Sequence, residues 1–322
     1  MNTSKHKHFH FEVWSIDKLE NFLSVREGEW RVGQQLAKNE LKKVKYVLLG
    51  IEEGMGPMAN NGFSGSENAF SAFLSNFLNT QVHSRFTATE IQIVGSIKQN
   101  VQFESVTQAR THVEELDAFV EEILDSFLVE GQIPIVVGGG HNNALPIMRW
   151  VAKHSKVHIL NLDPHADCRK EEGRHSGNSF TIALHHKTIQ SYSVLGLHEA
   201  YNNQFILDFL EKHRCFHTYF EDYLCQNRNL IKDLTHVIDN CETDSKLGIE
   251  IDMDAMAFMP SSAFSPSGWS VNEVRAFCLE LSRFKNHIAY LHLPEAAPKT
   301  ELEKKVVGKT LSYFVRDFIN VK

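Results

Sequence analysis

Short β-branched runs alternate with longer stretches whose apolar positions recur at helical spacing. Val44 to Ile51 (VKYVLLGI), Ile133 to Val137 (IPIVV), Val157 to Leu162 (VHILNL) and Ser193 to Leu197 (SVLGL) read as buried strands. Leu247 to Met253 (LGIEIDM) and His287 to Leu293 (HIAYLHL) read the same way, with a weaker strand at Phe216 to Tyr219. Between them, Val106, Ala109, Val113, Leu116, Val120, Ile123 and Phe127 line one helical face. Further helices are predicted over Ala144 to His154, 202–213, 221–239, 271–285 and 309–320. Repeated strand–helix alternation predicts an α/β fold whose mainly parallel sheet is covered by helices on both faces. No linker, repeat or low-complexity run divides the chain. The expectation is one catalytic domain over 41–322, preceded by a loosely attached extension over 1–40.

Composition changes this picture little. The 322 residues are 42% hydrophobic and 23% charged, which is ordinary for a globular protein. A net charge of −7 speaks against a nucleic-acid or anionic-membrane partner, but not against a small anionic substrate. Cys168, Cys215, Cys225, Cys241 and Cys278 form no CxxC and no dense framework, so free thiols in a reducing cytoplasm are expected. No run approaches the roughly 20 apolar residues of a membrane helix. His6, His8 and His10 alternate, and they are read as part of a disordered basic tail rather than a metal site.

Chemistry concentrates where predicted strands end. Gly138-Gly139-Gly140-His141-Asn142-Asn143 follows one strand, Asp163-Pro164-His165-Ala166-Asp167 another, and Asp252-Met253-Asp254 a third. Ligands of open α/β sheets gather outside the carboxyl ends of the strands. Asp163, His165 and Asp167 alternate, so an extended chain points them the same way, as it does Asp252 and Asp254. Any one Asp after a strand is ordinarily a cap or turn residue, and GGGHNN lacks the Lys-Ser/Thr of a phosphate loop. Together, however, these acids would repel one another without a cation. Four aspartates and two histidines exceed what one ion normally takes, and they suit two ions roughly 3.5–4 Å apart. The predicted metal ligands are His141, Asp163, His165, Asp167, Asp252 and Asp254. Mixed carboxylate and imidazole donors suit Mn, Fe, Co, Ni or Zn.

These motifs resemble those of the arginase/agmatinase ureohydrolases. GGGHNNA, DPHAD, RHSGNSF (174–180), GLHE (196–199), IDMDA and HLPE (292–295) are most similar to the formimidoylglutamase subgroup. The resemblance implies a three-layer α/β/α fold and a site for two Mn²⁺. It implies His141 and Asp167 on one ion, His165 and Asp254 on the other, and Asp163 and Asp252 bridging both, with a shared hydroxide as nucleophile. It also implies a homo-oligomer. Three departures stand out. Gly140 replaces the usual Asp of the first motif. Ala257 falls where the third motif continues to another Asp. Phe180 stands where arginases carry a histidine credited with proton shuttling, which argues against arginase or agmatinase activity. His175 and His198 are the candidate replacements.

Substrate choice is read from residues outside the ligand set. Arg169 can clamp a carboxylate with paired hydrogen bonds, and Arg174, Ser176 and Asn178 follow it. The alternative for Arg169 is an ion pair with Glu171 or Glu172. Glu295, in the resembling family, contacts the cationic amidine or guanidine. An acidic amidine is therefore expected, with formimidoylglutamate leading, and Asp163, Asp252 and Glu295 as catalytic groups. Another acidic guanidino compound, a non-catalytic metal-binding homologue and a mononuclear deacetylase stay open on the residues alone.

Overall fold

The computed structural model describes residues 6–36 and 40–320. Nine strands form one sheet in the order β1-β3-β2-β4-β9-β8-β5-β6-β7. They are β1 (Phe9–Val13), β2 (Tyr46–Glu52), β3 (Ile91–Gln99), β4 (Ile133–Val137), β5 (Lys156–Leu162), β6 (Ser191–Leu197), β7 (Phe216–Tyr219), β8 (Ser245–Ile251) and β9 (Ile288–Leu293). Every neighbouring pair is parallel except β1 with β3.

The continuous apolar runs are explained by burial on both faces. Ile135 and Val137 of β4 enter one core with the helices Ala69–Phe77, Val271–Leu281 and Glu301–Ile319. Val136 points the other way, into a core with Val106–Phe127, Ala144–Ala152 and Gln204–Lys212. The three layers expected from the sequence are present, and the helix over Val106–Phe127 lies within a residue of its predicted span. No helix among the described residues is long and apolar enough to cross a membrane.

Three differences have local causes. The helix expected over 221–239 is two helices, Phe220–Leu224 and Leu230–Asp239. Gln226 between them takes a left-handed backbone (φ 58°), and Asn229 restarts the helix by accepting from the Lys232 amide. The last helix begins at Glu301 rather than near 309, because Thr300 and Glu303 form a capping box. The third concerns the N-terminal segment, part of which is not loosely attached. Phe9 and Phe11 are buried, and β1 pairs along its whole length with β3, from Phe9 opposite Gln99 to Val13 opposite Gly95. Close approach is possible because residue 95 is glycine, where a Cβ would lie 2.3 Å from the Glu12 carbonyl oxygen.

The edge strand is thus expected to belong to the cooperative unit. Phe11→Ala, which removes a ring packed 4.6 Å from that of Phe127, should cost about 3–5 kcal/mol. Chemical denaturation followed by far-UV circular dichroism measures it. A loss below about 1 kcal/mol would show that β1 frays independently.

Candidate metal centre

The centre of the sheet is the run β4-β9-β8-β5, and the four loops leaving those neighbouring strands carry the predicted ligands and Glu295. After β4, Gly138 and Gly139 both take positive φ (89° and 73°), turning the chain so that His141 faces inward. After β5, Asp163 turns the chain through Oδ1, which accepts from the His165 amide at 2.7 Å, while Asn161 Nδ2 donates to Oδ2 at 2.9 Å. After β8, Asp252 Oδ1 accepts from the Asp254 amide at 2.6 Å. In both turns the acid orients the residue two positions on by a local backbone bond. Asp167 (φ 48°) and Glu295 (φ 69°) are non-glycine residues in the left-handed region, a conformation that costs about 1–3 kcal/mol each and concentrates at working sites.

His141 Nδ1 lies 2.9 Å from Asp252 Oδ2, 3.0 Å from Asp167 Oδ2 and 3.3 Å from Asp163 Oδ2. The ligand atoms of these four residues all fall within 4.8 Å of one another. His141 Nδ1 is fully buried, and none of these contacts has hydrogen-bond geometry. Lone pairs that converge without bonding one another fit a shared cation. On the other side of Asp163 and Asp252, His165 Nδ1 is 3.5 Å from Asp163 Oδ1 and 3.8 Å from Asp254 Oδ2. Asp254 is held by the Ala263 amide (3.1 Å) and Ser262 Oγ (3.5 Å). The loop built differently after Ala257 therefore returns to support that ligand.

Electrostatics agree with the donor set. Burial alone pushes His141 toward its neutral form, but Asp163, Asp167, Asp252 and Glu250 reverse this and hold it well above the usual imidazole range. Burial acts likewise on His165, and Asp163, Asp254 and Asp167 lift it to about 9. Asp252 is pushed far up by burial and by repulsion from Asp163 and Asp254. These are the shifts expected where several acids and imidazoles share one buried site.

Two supporting carboxylates escaped the sequence reading. Glu250, on β8, is fully buried, and its Oε2 lies 2.6 Å from His292 Nδ1 and 3.4 Å from His141 Nε2. Tyr290 donates to its Oε1 at 2.7 Å. The carboxylate thus bonds His292 and Tyr290 and stands behind the His141 ring without a hydrogen bond to it. The only sequence signal was a lone Glu inside an apolar strand. Glu53 is the second. Its Oε1 accepts from the Gly140 amide (2.8 Å) and Asn143 Nδ2 (2.7 Å), and its Oε2 from the amides of Met55 (2.6 Å) and Gly56 (3.1 Å). This explains Gly140: a Cβ there would lie 2.5 Å from both Pro57 Cδ and Asn142 Oδ1. Asp does not fit at 140, and the buried carboxylate arrives from 53 instead.

A cavity of about 180 Å³ opens over the cluster, lined by His165, Asp167, Asp252, Asp254 and Glu295 at its metal end. Glu295 Oε1 accepts from the His141 amide at 2.6 Å, whereas its buried Oε2 accepts no hydrogen bond. Burial and Asp254 raise the Glu295 carboxyl to about 8. Arg169 and Ser176 also line the cavity, with Pro57, Asn60 and Gly62 from the segment after β2. Arg169 is exposed and has no ion pair among the described residues. The two acids that could have taken it are engaged elsewhere, Glu171 with His185 and Glu172 with Arg110.

Arg174 and Asn178 are corrections. Arg174 is 4% exposed, and its guanidinium makes a paired contact with Asp117 (2.7 and 3.0 Å) besides donating to the Asn142 carbonyl oxygen (2.7 Å) and Asn178 Oδ1 (2.9 Å). Asn178 Nδ2 donates to the carbonyls of Gly173 and Lys170. Both are spent on holding the loop, and neither lines the cavity. A buried acid 57 residues away in sequence, Asp117, is what claimed Arg174, and no local pattern announces such a partner. His175 and His198 do not line the cavity either. Burial, with Arg110, Arg174 and Arg169 nearby, drives His175 down to about 3, and His198 is stacked between Tyr201 and Phe220. Phe180 is buried against Tyr192 and meets His141 edge-on.

Residues 57–317 match the arginase family. A formimidoylglutamase of Staphylococcus carnosus is 25% identical over 289 residues, 87% of each chain. The crystal structure of Trypanosoma cruzi formiminoglutamase with Mn²⁺ superposes with a TM-score of 0.73 at 18% identity, covering 91% of this chain and all of that one. Formimidoylglutamase from Bacillus subtilis gives the same score at 15% identity, covering 92% and 94%. The strand-end ligand cluster and these likenesses agree: the chain belongs to the arginase family and is a hydrolase of C–N bonds in linear amidines.

Proposed function

We propose that this enzyme is a formimidoylglutamase, converting N-formimidoyl-L-glutamate and water to L-glutamate and formamide, as in histidine degradation, with two Mn²⁺ per chain. The observation that carries the reading is the cavity's two-ended chemistry. A buried carboxylate oxygen without a partner, on Glu295, stands at the ligand cluster, and an exposed guanidinium without an acid, on Arg169, stands at the wall. A substrate with a cationic formimino head and a dicarboxylate tail matches both ends. The names of the relatives and the manganese of the Trypanosoma neighbour support it.

Six residues would hold the ions: His141 and Asp167 on one, His165 and Asp254 on the other, Asp163 and Asp252 between them. Bound divalent cations would polarise the amidine and make water nucleophilic near neutral pH. The protein's own groups do the rest. Glu295 Oε2 orients the formimino nitrogen, Arg169 and Ser176 fix the tail, and His141 presents Nδ1 to the cluster with Glu250 behind its Nε2. Phe180, apolar and buried, leaves the cavity without the imidazole that the resemblance assigns to proton delivery in arginases, which fits a formimino rather than a guanidino substrate.

Loss of a bridging acid should differ from loss of a terminal ligand. Asp163→Ala and Asp252→Ala should retain little or no manganese, and His141→Ala about one ion per chain, by mass spectrometry of protein dialysed after reconstitution. Equal losses in all three would remove the bridging assignment. On a panel of formimidoylglutamate, arginine, agmatine and guanidinobutyrate, the Mn²⁺-loaded enzyme should release formamide and glutamate from the first alone. Urea from guanidinobutyrate without formamide would move the assignment to an acidic guanidino substrate. The two arginines should separate cleanly. Arg169→Ala should raise KM for formimidoylglutamate at least about tenfold with the melting temperature unchanged, the cost of one charge-assisted pair. Arg174→Ala should lower the melting temperature, having broken a buried pair worth about 3–5 kcal/mol.

A further inference from the structure

The N-terminal histidines are not a solvated tail. Phe9 and Phe11 anchor β1 in the sheet, and the chain just before it bends back over the helix Val106–Phe127. Two bonds set that bend: the His6 amide donates to the Phe9 carbonyl oxygen at 2.9 Å, and the His8 amide to His6 Nδ1 at 3.3 Å. The bend brings His8 Nδ1 to 2.6 Å from Glu115 Oε2. Glu115 sits one helical turn from His112, whose Nδ1 is 3.1 Å from the same oxygen. The His8 and His112 rings are 4.3 Å apart, and those of His6 and His8 5.7 Å. Donor atoms of His6, His8 and Glu115 all lie within 4.8 Å of one another. None of these residues belongs to the catalytic cluster.

We infer that His6, His8, His112 and Glu115 form a second metal site, for a borderline transition ion of the Zn²⁺ class, which staples the N-terminal segment to the helix Val106–Phe127. Three imidazoles and one carboxylate are the donors that a four-coordinate Zn²⁺ takes, whereas the aspartate-rich centre suits manganese. The side chains of His8 and His112 are each 15% exposed, so an ion enters from solvent without opening the core. The same helix carries Asp117, which grips Arg174, and Arg110, which donates to the Ala59 and Glu172 carbonyls. A staple on this helix therefore acts on the element that braces two loops of the cavity.

The test is equilibrium dialysis of full-length, Mn²⁺-loaded protein against micromolar Zn²⁺ with Mn²⁺ in excess, followed by metal analysis. The expected result is one Zn²⁺ per chain above the zinc content of a His8→Ala/His112→Ala double variant, with both proteins keeping the same manganese. In parallel, Co²⁺ should give the visible spectrum of a four-coordinate ion in the wild type and lose it in the double variant. His6→Ala, at an exposed position outside helix and strand, should weaken Zn²⁺ by more than the roughly 10–100-fold that loss of an outer-shell group costs. Equal zinc in wild type and double variant would overturn the inference, because that zinc would sit elsewhere. So would unchanged Zn²⁺ affinity in His6→Ala. The readouts do not depend on substrate, so failure of the formimidoylglutamase assignment would leave them intact.

Discussion

Like charges in a dry interior repel, and the middle of this sheet gathers Asp163, Asp252, Asp254, Glu250 and Glu295, all almost fully buried, with Asp167 beside them. Much of the architecture is a response to that constraint. Four neighbouring strands end together, so that no loop has to be long to deliver its acid or, after β4, its histidine. Backbone amides neutralise part of four of these charges: His165 for Asp163, Asp254 for Asp252, Ala263 for Asp254, His141 for Glu295. His141 and His165, both raised by these acids, offset part of the remaining charge.

The supporting layer divides into parts that hold the metal end and parts that hold the walls. Glu250 and His292 lie beneath His141, and Glu53 ties the glycine turn to the helix Met55–Ala59. Asp117, Arg174 and Asn178 brace the loop that carries Arg169 and Ser176, and the same guanidinium reaches the Asn142 carbonyl beside His141. The cavity wall and the turn that carries His141 are thereby tied through one buried arginine.

That the six candidate residues would meet at neighbouring strand ends was legible in the sequence, because each follows a strongly apolar strand and all but His141 alternate with another of the set. The place of Arg169 on the cavity wall was legible as well, since it lies two residues from Asp167. Arg174 looked equivalent, but its role is decided by Asp117, a partner remote in sequence, and pattern reading does not see pairings of that kind. Glu53 and Glu250 were invisible for the same reason: one looks like a loop acid, the other like an intrusion in a strand. The strand at Phe9–Val13 does carry a two-residue alternation, but five residues among histidines gave too short a run to outweigh a polar surrounding.

The fit between Glu53, Pro57 and Gly140 has a consequence for how this sequence can drift. Enlarging residue 140 meets Pro57 and Asn142, and removing the acid at 53 strands four buried donors at once. A carboxylate moved from 53 to 140 would have to come with room made at Pro57 and Asn142, so the acid and the glycine are held as a pair and are not free to vary one at a time.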